Sequence, residues 1–216
     1  MKLIVFGATG NIGKQVVLEA LSRGHEVTGV VRDPEVQKSP DSKAKLVKGD
    51  ATDPASVARV VKGADAIVSA ISPRVSSRGL PAPSLVDGAR AVIAGATKAG
   101  VKRVIFVGGA GSLEVAPGKR LMDQPGFPAP YKAEAQAGAE MLDVVRREAT
   151  ALDWSYISPA AEISSGHRTG RYRTTGDQFI PDNKGQSRIS FEDYAVAVVD
   201  ELEHGNHVGR RFGVAY

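Results

Sequence analysis

Glycines at positions 7, 10 and 13 restrict this chain more than any other feature. They lie in the stretch VFGATGNIGKQVV, residues 5–17, after the apolar run Leu3–Phe6 and before Val16, Val17, Leu18 and Leu21 at helical spacing. That order reads strand, tight turn, helix. Such a turn points backbone N–H groups at a ligand while the positive end of a helix dipole faces it, which suits a pyrophosphate. Gly7 permits the turn, Gly10 lets phosphate oxygens come close, and Gly13 lets the helix pack on the strand. Thr9, Asn11 and Ile12 stand between them, so Gly7, Thr9, Gly10, Asn11, Ile12 and Gly13 form the predicted cradle.

The remaining pattern alternates strands with helices. Glu26–Val31, Lys45–Lys48, Asp65–Ala70, Lys102–Val107, Asp153–Ser158 and Arg210–Tyr216 read as strands. Asp53 is placed to cap a helix opening at Pro54, and Val57, Val60 and Val61 give that helix a buried stripe. Further helices are predicted over Ser84–Ala99, closed by Gly100, over Tyr131–Thr150, and over Phe191–His204, capped by Ser190. Apolar rather than alternating strands, separated by helices, predict a doubly wound, mostly parallel α/β sheet covered on both faces. The 216 residues fit one domain, 1–216, with a small hairpin excursion at about 166–190. Gly109 to Pro130 has no clear period and is expected to wall a substrate pocket.

In such a sheet, ligands lie across the carboxyl ends of the strands, where strand order reverses. Arg32, nineteen positions beyond Gly13, ends the second strand, where an arginine would meet the 2′-phosphate of NADP. Asp33 follows it and could instead bind the ribose diol of NAD, or serve only as a turn residue before Pro34. Asp50 could accept from the adenine amino group with Ala51 against the ring, or could be a surface turn carboxylate. Ala70, Ile71 and Ser72 end the fourth strand, Gly109 follows the fifth, and Ser158 and Pro159 end the sixth. These positions are expected near the nicotinamide and its ribose, the alternative being that the two serines merely end strands before prolines.

Composition narrows the classes further. The 28 Lys and Arg are spread beside 24 Asp and Glu for a net charge of +4, which argues against a nucleic-acid stripe. The absence of cysteine excludes disulfides and thiolate chemistry and is compatible with a reducing cytoplasm. His25, His167, His204 and His207 show no ligand spacing with carboxylates, so they read as surface residues and no metal site is expected. No signal peptide or membrane span is legible, and the oligomeric state leaves no trace.

The GATGNIG turn, the VVRDP strand end, the GDATDP turn, the GGAGSLEVAPG loop, DQPGFP, SPAAEI, RTGRYR and ISFEDYAVAVVDELE together resemble, from end to end, the NAD(P)H-binding, NADH-flavin reductase family of atypical short-chain dehydrogenases. These are relatives of biliverdin IXβ reductase/flavin reductase and of NmrA-like proteins. The resemblance implies a Rossmann fold, NADPH or NADH as cofactor, and flavin as a substrate rather than a bound group. The larger superfamily uses a Tyr-x-x-x-Lys pair for proton transfer. Here Tyr131 is followed at once by Lys132, and Tyr156, Tyr172 and Tyr194 have no lysine four places on. Carbonyl chemistry thereby loses its acid, whereas hydride transfer to a flavin can take its proton from water. Ser112 and Tyr131 remain the candidates beside the acceptor. The expected function is an NADPH-favouring reductase of a flavin or quinone. The rival is a non-catalytic, redox-sensing NAD(P)-binding module, and a small-carbonyl reductase or isomerase is a third reading.

Overall fold

A computed structural model describes residues 1–72 and 84–216; Pro73, the proline that follows Ser72, lies outside them. The sheet is built of β1 (Lys2–Phe6), β2 (Glu26–Val31), β3 (Lys45–Lys48), β4 (Ala66–Ser69) and β5 (Arg103–Val107), with β8 (Asp153–Ser158), β10 (Arg173–Thr175) and β12 (Arg210–Ala215) beyond. Two small pairs stand apart from it: β6 (Glu114–Ala116) with β7 (Lys119–Arg120), and β9 (Glu162–Ser164) with β11 (Arg188–Ser190). The eight-stranded order is β10-β12-β8-β5-β4-β1-β2-β3, parallel except where β10 runs antiparallel to β12. Order therefore reverses between β1 and β4, which opens a crevice at their carboxyl ends.

Period-two alternation divides each central strand between two cores. Leu3, Val5, Ala66, Val68, Ile105 and Val107 face α1 (Asn11–Ser22) and α5 (Phe191–His204). Ile4, Phe6, Ile67, Val104 and Phe106 face α2 (Pro54–Val60), α3 (Leu85–Ala99) and α4 (Lys132–Glu148). Both sides being apolar is why the strands read as unbroken hydrophobic runs. Close approach of α2 and α3 needs Gly95, because a Cβ there would lie 2.4 Å from Cγ1 of Val57.

Two expectations need correction. The segment 166–190 forms no hairpin of its own: β10 joins the edge of the main sheet, while β11 pairs in parallel with β9, a strand the sequence did not reveal. Short polar strands lack an internal period, so their partners are set by where the chain is carried. Gly109 to Pro130 is also more ordered than its composition suggests. It holds the β6–β7 pair and short 3-10 turns at Leu121–Asp123 and Ala129–Tyr131, and Glu114 exchanges backbone hydrogen bonds with Asp177 and Phe179 at 2.8 Å each.

Candidate nucleotide-binding site

The glycine turn leaves β1 at the reversal point, and its geometry explains two of its glycines directly. Gly7 has φ of +75°, and a Cβ there would meet the Ala70 carbonyl oxygen at 2.3 Å; one at Gly13 would meet the Gly7 carbonyl oxygen at 2.1 Å. Backbone, not a movable side chain, fills both spaces, so neither position admits alanine without distortion. The Gly10 amide donates to the Gly7 carbonyl at 3.0 Å, and the Lys14 amide to the Gly10 carbonyl at 2.8 Å, which starts α1.

Helices α2, α3 and α5 are capped by side chains of Asp53, Ser84 and Ser190, but α1 begins at Gly10 with no side-chain cap and no acidic residue in its first turn. Its leading N–H groups are therefore left for an anion. Asn11 is exposed, while the Ile12 side chain packs against the core beneath α1, so Ile12 offers the crevice only its backbone. The cradle fits the diphosphate of a dinucleotide by donor chemistry and by lack of a competing cap.

The other candidate positions gather at the same edge. Ala70 touches Gly7 through the close approach described above, and Gly88 of α3 lies against both Ile71 and the Ala51 carbonyl, bringing the ends of β3 and β4 together. Ser72 is exposed there, and Gly109 half-exposed. Arg32 stands exposed beyond β2. The Asp33 carboxylate accepts from the Glu35 amide at 3.1 Å through Oδ1, as in a turn. Asp50 likewise receives the Thr52 amide at 2.8 Å and hydroxyl at 2.7 Å on Oδ1.

Ser158 and Pro159 end β8 beside Gly108, whose amide donates to the Ile157 carbonyl at 2.8 Å, and Ser112 follows the glycine run after β5. Ser112, Ser158 and Pro159 are buried, and the Arg211 guanidinium, 5% exposed, donates to the hydroxyls of Ser112 at 3.3 Å and Ser158 at 3.4 Å. Arg211 also pairs with Asp177 at 2.5 Å, tying β12 to the loops after β5 and β10. The reason is electrostatic: a buried guanidinium needs acceptors on every N–H it exposes to the interior, and nearby hydroxyls supply them. Only the charged residue inside the otherwise apolar RRFGVA strand hinted at it.

The tyrosines divide cleanly. Burial pushes the Tyr156 and Tyr194 phenols well above their ordinary values, and they donate to the carbonyls of Gly138 at 2.9 Å and Ile157 at 2.7 Å. A Cβ at Gly108 would lie 2.0 Å from the Tyr156 ring, so that glycine is steric. Tyr172 donates to Asp200, and Tyr216 to Asp193. Tyr131 alone stays open, 55% exposed at the head of α4.

Two histidines are not the surface residues expected. His207 stacks on Phe212 with ring centres 3.9 Å apart and sets Nδ1 2.8 Å from Glu201, while His25 meets Glu203 at 2.9 Å. Asp200, Glu203 and His204 cluster closely enough to suggest a cation site. Arg23 fills that role, donating to Asp200 at 2.6 Å and Glu203 at 2.7 Å.

A parallel sheet with this strand order and an uncapped glycine turn at its reversal point defines a dinucleotide-binding protein. Residues 7–205 match the model of the NAD(P)H-binding family, and the chain belongs to that family. It is 38% identical to the Bacillus subtilis (strain 168) protein YwnB, itself uncharacterized, over 99% of this chain and 98% of that one. A crystal structure of a "putative exported protein" from Burkholderia pseudomallei superposes with a TM-score of 0.90 at 44% identity, covering 100% of both chains. A "putative NADH-flavin reductase" from Streptococcus pneumoniae TIGR4 gives 0.83 at 36% identity, covering 100% of this chain and 99% of that one.

Proposed function

We propose that this protein is an NADPH-favouring reductase that passes hydride to a flavin or quinone-like acceptor. The observation that carries the reading is the pairing of the uncapped α1 start with Arg32 at the end of β2, while Asp33, the alternative acidic partner for a ribose diol, has one oxygen in its own turn. The amides of residues 11–13 would hold the diphosphate, with Gly10 giving it room and Thr9 beside it, Arg32 the 2′-phosphate, Ala51 with Asp50 the adenine, and Ala70 to Ser72 with Gly109 the nicotinamide end. The nicotinamide supplies a hydride when bound.

The chain's own part is binding, orientation and exclusion of water. Gly108, Gly109, Ala110 and Gly111, which follow β5, carry no ionisable side chain, and Ser112 beyond them is turned onto Arg211. No proton is offered from this stretch, which favours an acceptor that collects its own from solvent over a carbonyl that needs an acid. The edge formed by residues 109–131 supplies Phe127 and exposed Tyr131 as flat apolar surface for such an acceptor. In keeping with an NADPH-dependent reaction and a cysteine-free chain, we place the protein in the cytoplasm; no described helix is long and apolar enough to cross a membrane. Mixing the protein with NADPH and FMN and following loss of the nicotinamide absorbance tests the reading. Turnover is expected; tight NADPH binding with no turnover on flavins or quinones would favour the regulatory module.

A further inference from the structure

We propose that Gln37 is a specificity residue of the nucleotide site, its amide held by Thr9 over the glycine turn so as to donate to the 2′-phosphate of NADPH beside Arg32. The inference deepens the NADPH reading above and rests on it. Val30 of β2 is in register with Phe6 of β1, and a Cβ at Gly29 would meet the Ala8 Cβ at 2.7 Å, so the turn after β1 lies against β2, whose end Arg32 follows. The chain that leaves β2 then comes back over the turn, because the Thr9 hydroxyl donates to Oε1 of Gln37 at 2.6 Å. Thr9 and Gln37 thus meet past the carboxyl ends of β1 and β2, the end from which Arg32 also emerges and where the adenosine ribose of a dinucleotide lies in this fold.

The chemistry of the amide fixes what it can do there. A glutamine has one carbonyl oxygen and two N–H donors. Thr9 takes the oxygen, and among the described residues Nε2 has no hydrogen-bond partner. What Gln37 offers from Nε2 is an uncharged donor, which bonds an anionic phosphate oxygen more strongly than a neutral hydroxyl. The Asp33 carboxylate, the nearest competing acceptor in sequence, has Oδ1 engaged by the Glu35 amide. Arg32 supplies the charge and Gln37 the second direction of hydrogen bonding, a division that makes the pocket select for phosphate geometry and not merely for negative charge.

Dissociation constants measured by nicotinamide fluorescence for NADPH and NADH, and by calorimetry for 2′,5′-ADP against 5′-AMP, test this without any turnover. Gln37→Ala is expected to weaken NADPH and 2′,5′-ADP by about five- to tenfold and to leave NADH and 5′-AMP within about twofold. Gln37→Glu keeps an acceptor for the Thr9 hydroxyl but sets a carboxylate against the phosphate, so its loss of NADPH affinity should exceed that of the alanine variant while NADH holds. Both should keep the wild-type melting temperature, because the side chain makes no buried contact that either variant removes. If Arg32→Ala discriminates between the cofactors but the Gln37 variants lose both equally, or neither, Gln37 has no such role and the NADPH reading stands. If the wild-type protein binds NADH as tightly as NADPH, and 5′-AMP as tightly as 2′,5′-ADP, both fall together.

Discussion

The crevice end of β1 and the C-terminal third of the chain use polar groups in opposite ways. Around residues 7–14 the bonds are almost all backbone to backbone, and the first turn of α1 keeps its N–H groups uncapped. From residue 162 onward, buried carboxylates act as hubs that the protein itself saturates. Asp193 receives the Thr169 amide and hydroxyl at 2.8 and 2.7 Å, the Gly170 amide at 2.7 Å and the Tyr216 hydroxyl at 2.7 Å. Glu201 binds Arg103 at 2.8 Å, Ser155 at 2.7 Å and His207 at 2.8 Å. Glu19 of α1 is held by Arg23 and Arg168, each at 2.7 Å. Saturated hubs make scaffold, because a buried charge is tolerated only when every lone pair is used. Open donors make a site, because their missing partner arrives with the ligand.

Removing a hub should produce the largest effect. Asp193→Ala strands the Thr169 and Gly170 amides, and is expected to cost on the order of 3 kcal/mol in urea unfolding. NADPH affinity of the protein that remains folded should be close to wild type. A variant as stable as wild type would show that the clamp is ornamental and erase the contrast.

Gly13→Ala strikes the other region. The new methyl meets the Gly7 carbonyl, so the turn must open; stability should drop by about 1–3 kcal/mol and NADPH titration should show affinity lost along with it. Retained affinity would mean that the turn is not the phosphate cradle.

Acid should find the hubs before it finds the crevice. The Arg168 hydrogen bond, opposed by burial and helped by Arg23, holds the Glu19 carboxyl below its usual range. Burial alone would raise Asp193 and Glu201, but hydrogen bonds from Thr169 and Tyr216 to the one, and from His207 and Ser155 to the other, outweigh it and lower both. A carboxyl depressed in the folded state adds stability that is complete above its unfolded value and is lost as pH falls through the folded one. Thermal midpoints should therefore be level near neutrality and fall progressively below roughly pH 4, with the clamp about residues 166–171 the first to gain hydrogen exchange. Earlier exchange in residues 7–14 would reverse the assignment.

The smallest effect should come from Tyr131→Phe. An exposed phenol that is no proton donor should cost less than about tenfold in flavin turnover, whereas general acid catalysis would cost about 10²–10⁴-fold. A loss in the upper range with NADPH affinity intact would return carbonyl reduction to consideration.

Much was legible in the sequence because its causes are local. The strand and helix plan follows from hydrophobic period, the caps at Asp53 and Ser190 from side-chain chemistry two or three residues away, and the nucleotide turn from glycine's freedom at one positive φ and two close approaches. Arg32 could be placed by counting from Gly13. The tertiary structure alone decided the rest. Ser112 and Ser158 have their hydroxyls held by Arg211, ninety-nine positions beyond Ser112. Gln37 carried no signal until the loop after β2 returned to Thr9, and the strands at 173–175 and 188–190 found partners that no local pattern names. Those outcomes depend on which distant group comes within hydrogen-bonding distance, and burial then makes the pairing obligatory.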